Sequence, residues 1–193
     1  GLRDKDKRNL EDYQREISKA VQQLEQCASE DPNDFESLAY LGWAYAEVES
    51  AGPAGKAFDV AIAGLKTKGD KKKAEWAENN RQSYWATWFN DGIAKINKAQ
   101  SAYPAFTKKP ENAAEQTARD EAAKSYQQAL NRLTMASLVK PNDPRTIRNL
   151  GTVFAFQGRF KEAEPIFAAG LKIAPNDSDL VGSMRQVHHS LAQ

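Results

Sequence analysis

The strongest constraint on this chain is that it repeats itself. Two segments superpose without a gap. The first places Leu38, then Leu41-Gly42, then Tyr45, and later Ala54, Phe58 and Ala61. The second places Ile147, then Leu150-Gly151, then Phe154, and later Ala163, Phe167 and Gly170 at the same intervals. Small residues at Gly and Ala positions let one helix approach the next, and the aromatics fill the space between successive helix pairs. Composition agrees with helices. Alanine occurs 30 times, against 14 for Val and Ile together. Ala is the best helix former, whereas β-branched residues favour strands.

This pattern resembles the tetratricopeptide repeat, a helix–turn–helix unit of about 34 residues. Gly158 falls where the first helix must turn into the second. A third, interrupted copy lies between the two. Its second helix is Ala129, Leu133, Ala136 and Pro141, and Pro141 lies 34 residues before Pro175. Its first helix is Trp88-Phe89-Asn90-Asp91-Gly92, with Asp91 in place of the usual Leu and Lys95 in place of the aromatic. Gly92 lies 50 residues after Gly42 and 59 before Gly151, which leaves insertions of 16 and 25 residues.

The first insertion extends the middle copy's first helix. Residues from Lys72 to about Ser101 carry no Pro and place Trp76, Trp85, Trp88, Phe89, Ile93 and Ile96 at broadly helical spacing. The second makes a loop from Tyr103-Pro104 to Asn112, because Pro104 and Pro110 break helices, and helix resumes near Ala113. At the front, Leu10, Tyr13, Ile17, Val21 and Leu24 form an apolar stripe, and Ala20, Leu24, Cys27 and Pro32 match second-helix intervals. At the far end, Asp177 or Ser178 caps a last helix that carries Leu180, Val181, Met184, Val187 and Leu191.

The resemblance implies an all-α fold: a right-handed superhelical array of antiparallel helix pairs, about three repeats with terminal helices. It treats 1–193 as one domain. That domain has a partial repeat over 1–32, a first repeat over 35–68 and a second over 72–141 with an inserted loop at 102–118. A third repeat over 144–177 and a capping helix over 178–193 complete it.

The features that invite a chemical reading have plainer ones. Gly64 to Gly69 has the glycine spacing of a phosphate loop, but Asp70-Lys71 stands where Lys-Ser or Lys-Thr is required, so it reads as a glycine-capped helix end. His188 and His189 are adjacent and diverge on a helix, so they read as a solvated helix end rather than a metal pair. Cys27, the one cysteine, is expected to be a buried structural thiol. Lys71-Lys72-Lys73 and Asp120-Glu121 read as solvated charge. Trp85 and Trp88 are expected in the core. With both His at the terminus, no Ser/His/Asp triad and no Cys/His zinc site can be assembled, so no catalytic residue, metal or cofactor is expected.

What the resemblance implies for function is protein binding without catalysis. Members line a concave face with their first helices, and that face holds a peptide or protein segment. The family's inward positions fall here on Glu36, Ala39, Tyr40, Trp43, Ala46 and Glu47, on Ala86, Phe89, Asn90, Ile93, Ile96 and Asn97, and on Arg145, Arg148, Asn149, Thr152, Ala155 and Phe156. Among them Asn90 and Asn149 occupy the sixth position, where members often hold a peptide backbone by an amide. Trp43, Phe89, Ile93 and Phe156 would be apolar anchors, and Arg145 and Arg148 would meet carboxylates. The chaperone-binding branch clamps a carboxylate with Lys and Asn at positions that here hold Ala39 and Trp43, which argues against a partner of that type.

The partner is therefore expected to be an unidentified protein or peptide. The formal charge of +1 is too balanced for nucleic acid, and no apolar run is long enough to span a membrane. Self-association into a homo-oligomer, as a structural module of an envelope or multiprotein assembly, is the second expectation. Because the chain opens on Gly1 rather than Met, a bacterial envelope location after leader removal is favoured over the cytoplasm.

Overall fold

The computed structural model describes residues 4–104 and 106–192, and all regular structure among them is helical. Eight helices follow in order: α1 (Asp4–Glu30), α2 (Phe35–Glu47), α3 (Ala51–Thr67), α4 (Lys71–Ala102), α5 (Ala113–Val139), α6 (Pro144–Phe156), α7 (Phe160–Ile173) and α8 (Ser178–Leu191). These bounds reproduce the expected helix pairs, the extended middle helix and the break after Ala102. They also merge the segment from Ala113 with the middle copy's second helix into one continuous α5.

The chain divides into two compact units. One comprises Gly1–Trp85 with Leu138–Lys140, and the other Ala86–Ser137 with Pro141–Gln193. Helices α4 and α5 supply residues to both. Sequence reading treats the whole chain as one domain; the contacts group it in two.

In the first unit, α1 packs on α2 and α2 on α3. Gly42 of α2 faces Phe58 of α3, and a Cβ on that glycine would fall 2.9 Å from the phenyl ring. Phe58, Ala54 and Ala61 are fully buried along this joint. Gly55 meets the Leu138 carbonyl so closely that no side chain fits between α3 and the end of α5. In the second unit, α6 packs on α7, α7 on α8, and α8 touches α6. Gly151 of α6 faces Phe167 of α7, with a Cβ position 2.6 Å from its ring. Gly92 of α4 faces Leu133 of α5 in the same way, at 2.8 Å. Two hydrophobic clusters form here, one holding Tyr126, Leu133 and Val153 and the other Phe167, Leu180 and Val187. Burying each such side chain contributes about 1.5–3 kcal/mol, most of which offsets chain entropy.

Three helices start from the same device. The triplet Pro-Asn-Asp occurs at 32–34, 141–143 and 175–177. Its Asp accepts a backbone hydrogen bond from the first turn of α2, α6 or α8: from Ser37 at 3.1 Å, from Arg145 at 3.1 Å, and from Asp179 and Leu180 at 3.0 Å. Such a cap satisfies amides the helix itself cannot pair. Gly69 and Gly158 close the preceding helices with φ of 78° and 73°, the left-handed region that glycine enters freely. Both fulfil the expected roles as turn glycines.

Two expectations on the terminal helices need correction. Cys27 is exposed rather than buried. At about 100° per residue it lies roughly 80° off the line through Ile17, the one buried residue of the α1 stripe, so the stripe passes it by. Leu10 and Tyr13 at the front of that stripe, and Leu191 at the end of α8, are likewise exposed. Trp85 and Trp88 are buried as expected. His188 is exposed and sits 3.1 Å from Glu164, and Asp120 and Glu121 are solvated.

Candidate binding surfaces

The sequence-derived surface residues split between the two units, and many are already engaged within their own unit. In the first unit, Glu47 accepts hydrogen bonds from two phenols, Tyr13 of α1 at 2.5 Å and Tyr84 of α4. Trp43 also hydrogen-bonds Tyr84. Burial, reinforced by the hydrogen bond to Glu47, pushes the Tyr84 phenol well above its ordinary range and keeps it a donor. Trp43 and Glu47 therefore tie α1, α2 and α4 together rather than offering a free carboxylate. A matching tie joins Tyr45 to Glu25, and burial with that contact pushes the Tyr45 phenol up to about 12.

In the second unit, Phe89 and Ile93 are half-buried against the core around Ile96 and Tyr126. Asn90 and Asn97 are exposed, and among the described residues their amides have no hydrogen-bond partner. Asn149 instead donates to the Arg145 carbonyl at 2.8 Å, within its own helix. Arg145 forks onto the capping Asp143, with contacts of 2.8 and 3.1 Å. Arg148 pairs with Asp179 at the start of α8 and lies 3.9 Å from Asp177. Both arginines thus act first on helix starts. The bidentate pairing of Arg145 with Asp143 is geometrically specific, and exposure limits the energy of both pairs.

Thr152 and Phe156 have a different setting. They face a pocket of about 300 Å³, together with Phe160 of α7 and with Ser183, Gln186 and Val187 of α8. The inserted segment supplies its rim through Pro104, Phe106 and Thr107. Phe106 packs edge-on to Tyr126 at 5.4 Å, and the Arg119 guanidinium covers its ring at 4.8 Å. Phe156 remains 38% exposed. The walls are apolar with neutral hydroxyl and amide groups, and no charged side chain lines them. Sequence reading found Thr152 and Phe156 but missed Phe106, Ser183 and Gln186, because nothing in a repeat pattern says where an insertion folds back.

A second depression, of about 220 Å³, lies in the first unit between the beginnings of α2 and α4. Glu36 and Tyr40 on α2, and Lys72 and Trp76 on α4, are each spaced i, i+4 and so share a helix face. The Tyr40 and Trp76 rings stand 4.9 Å apart, tilted by 54°. Lys73 binds Glu36 at 2.5 Å and Asp70 at 3.5 Å, and the bond to Glu36 raises its pKa. The basic run is thus the solvated first turn of α4, with one of its three ammonium groups engaged.

Among the described residues, no group of three or more His, Cys, Asp or Glu side chains is placed to hold a metal ion. Among the same described residues, no helix is long and apolar enough to cross a membrane. No protein-family model matches this chain, and no curated protein is similar to it in sequence.

Proposed function

We propose that this chain is a non-enzymatic binding module of tetratricopeptide type that holds a peptide or protein segment on inward residues of its first helices. The architectural part of this reading is supported by a joint that recurs three times. Gly42 against Phe58, Gly92 against Leu133 and Gly151 against Phe167 are the same glycine-to-large-apolar contact at the same repeat position. The functional part rests on one observation: the pocket at Thr152 and Phe156 in the second unit. An open pocket with apolar walls, a few neutral polar groups and a half-exposed aromatic suits an apolar side chain flanked by peptide amides. Gln186 and Ser183 both donate and accept, as backbone recognition requires.

The test is selection of a displayed random-peptide library on the purified protein, followed by titration of the selected peptides. Peptides with one apolar anchor are expected to bind wild type and to lose affinity on Phe156→Asp and Gln186→Ala. Binding untouched by both substitutions, in variants with wild-type helix content, overturns the assignment.

A second reading, self-association, draws on a different surface. Val60 is 49% exposed and lies in an almost wholly apolar depression with Leu38, Tyr45 and Pro53. Burying such a patch against another copy would be favourable. Sedimentation across a concentration series separates the readings, since a concentration-independent monomer removes the second.

A further inference from the structure

We infer that the Tyr40–Trp76 depression of the first unit is a docking surface for an extended, acidic, proline-bearing segment of a partner protein. It deepens the function proposed above and rests on that reading, because Glu36, Ala39 and Tyr40 are inward positions of a first helix, but it lies in the other unit and does not depend on the Phe156 pocket. Three observations converge on it.

The first is aromatic exposure in a built position. Tyr40 is 44% and Trp76 37% exposed, yet their rings are in contact and Ala39 beneath them is buried. A tilted aromatic pair over a small floor is a shelf for a flat, rigid apolar ring, and Trp and Tyr bring contact area with few rotatable bonds.

The second is a pair of free donors. Among the described residues, neither the Tyr40 hydroxyl nor the Trp76 indole N–H has a hydrogen-bond partner. Both rings therefore present an unused donor beside an apolar surface. A polyproline II segment is the complementary ligand, since its backbone makes no internal hydrogen bonds and leaves its carbonyls outward. Proline rings seat in aromatic-lined grooves for the same reason, with little conformational entropy left to lose.

The third is charge. Lys73 is engaged by Glu36 and Asp70, which also fixes α2 against the start of α4. Lys72 lines the depression, and among the described residues it has no ion-pair partner; neither does Lys71. With Glu36 held by Lys73, an incoming carboxylate meets the Lys72 ammonium. A nucleic acid fits less well. Its affinity grows with the number of phosphates neutralised, and among the described residues the lining offers one ammonium without an ion-pair partner, that of Lys72, with Glu36 in the wall.

The experiment uses the full chain and fluorescence anisotropy with four labelled probes. These are an acidic peptide with a central Pro-Pro, the same peptide with Gly-Gly, the Pro-Pro peptide with Lys replacing each acid, and an oligothymidylate. The acidic Pro-Pro peptide is expected to bind most tightly. Trp76→Ala should weaken it on the order of tenfold, as for an aromatic hot spot. Lys72→Gln should weaken it roughly fivefold, with the effect shrinking at high salt. Phe156→Asp should leave it unchanged, which separates this surface from the pocket of the second unit. Tyr40→Phe keeps the ring and removes one donor, and a smaller loss is expected. Equal binding of the Gly-Gly or the Lys-bearing peptide overturns the inference. So does tighter binding of the oligothymidylate, or indifference to both Trp76→Ala and Lys72→Gln.

Discussion

The helix pair α2–α3 and the pair α6–α7 are built on one joint and finished differently. Inside, they coincide: Gly42 meets Phe58 as Gly151 meets Phe167, and Ala54 and Ala163 are fully buried at matching places. Outside, they diverge. The α2 face carries Tyr40, left exposed, with Trp43 and Glu47 drawn into hydrogen bonds with Tyr84. The α6 face carries Arg145 and Arg148, held by the capping aspartates and Asp179, and leaves Thr152 and Phe156 beside a pocket. Even the turns differ. Where α6 passes to α7 through Gly158 at φ 73°, α2 passes to α3 with Glu49 at φ 56°. The lesson is that the glycine facing a large apolar side chain at the joint is kept in both pairs, whereas the faces turned away from the joint are free to specialise.

Overpacking the two joints should show the largest effect. Gly151→Leu places a side chain 2.6 Å from the Phe167 ring and Gly42→Leu one 2.9 Å from the Phe58 ring. Destabilisation of about 3 and about 2 kcal/mol respectively is expected, read by denaturant unfolding. A negligible loss in either, or the reverse order, would mean the glycine contacts do not set the helix separation.

The capping aspartates give the middle-sized effect. Asp34→Ala should cost about 1 kcal/mol at neutral pH. The hydrogen bond from the Ser37 hydroxyl, then that from its amide, hold the Asp34 carboxyl below its ordinary value of 3.8. A depressed folded pKa means the cap's ionic contribution is complete above 3.8 and fades as pH falls through the lower folded value. The gap between wild type and Asp34→Ala should therefore narrow in acid. A gap that stays constant with pH would mean the cap does not act through its charge.

The turns give the smallest effect and the sharpest comparison. Glu49 occupies a conformation that strains L residues, so Glu49→Gly should stabilise by about 0.5–1 kcal/mol after glycine's own entropy cost. The reciprocal Gly158→Ala should destabilise by a similar amount, and its new Cβ would also press on Thr107 at 3.1 Å. Thermal unfolding that moves both variants in the same direction would show that the two turns are not equivalent.

Much of the fold was legible because helix pairing leaves a local, periodic mark. Gly42, Gly151 and the buried alanines are spaced by the helix repeat itself, and even the interrupted copy kept Gly92 and Leu133 in register. The Pro-Asn-Asp triplets were an available signal for three helix starts, of which the reading took up only Asp177. Gly55 was missed because its partner, the Leu138 carbonyl, is brought to it by a long intervening stretch of chain. Cys27 was misplaced because interval matching cannot tell which helix faces find a neighbour. The candidate sites were least legible. Glu47 read as an inward position and Arg145 and Arg148 as offered charges, and the fold turns each of them toward a group of its own unit. Lys72 read as ordinary solvated charge, and its relation to Trp76 gains meaning only when α2 brings Tyr40 alongside.

By itself, then, the sequence determined that this chain is a set of close-packed helix pairs, because small and large apolar residues at fixed helical intervals can bury themselves in few other ways. The tertiary structure alone decided which polar and aromatic groups remain for a partner. Hydrogen bonds and ion pairs are settled between residues far apart in the chain, and what is left over after Glu36 has taken Lys73 and Glu47 has taken two tyrosines is written in no local pattern.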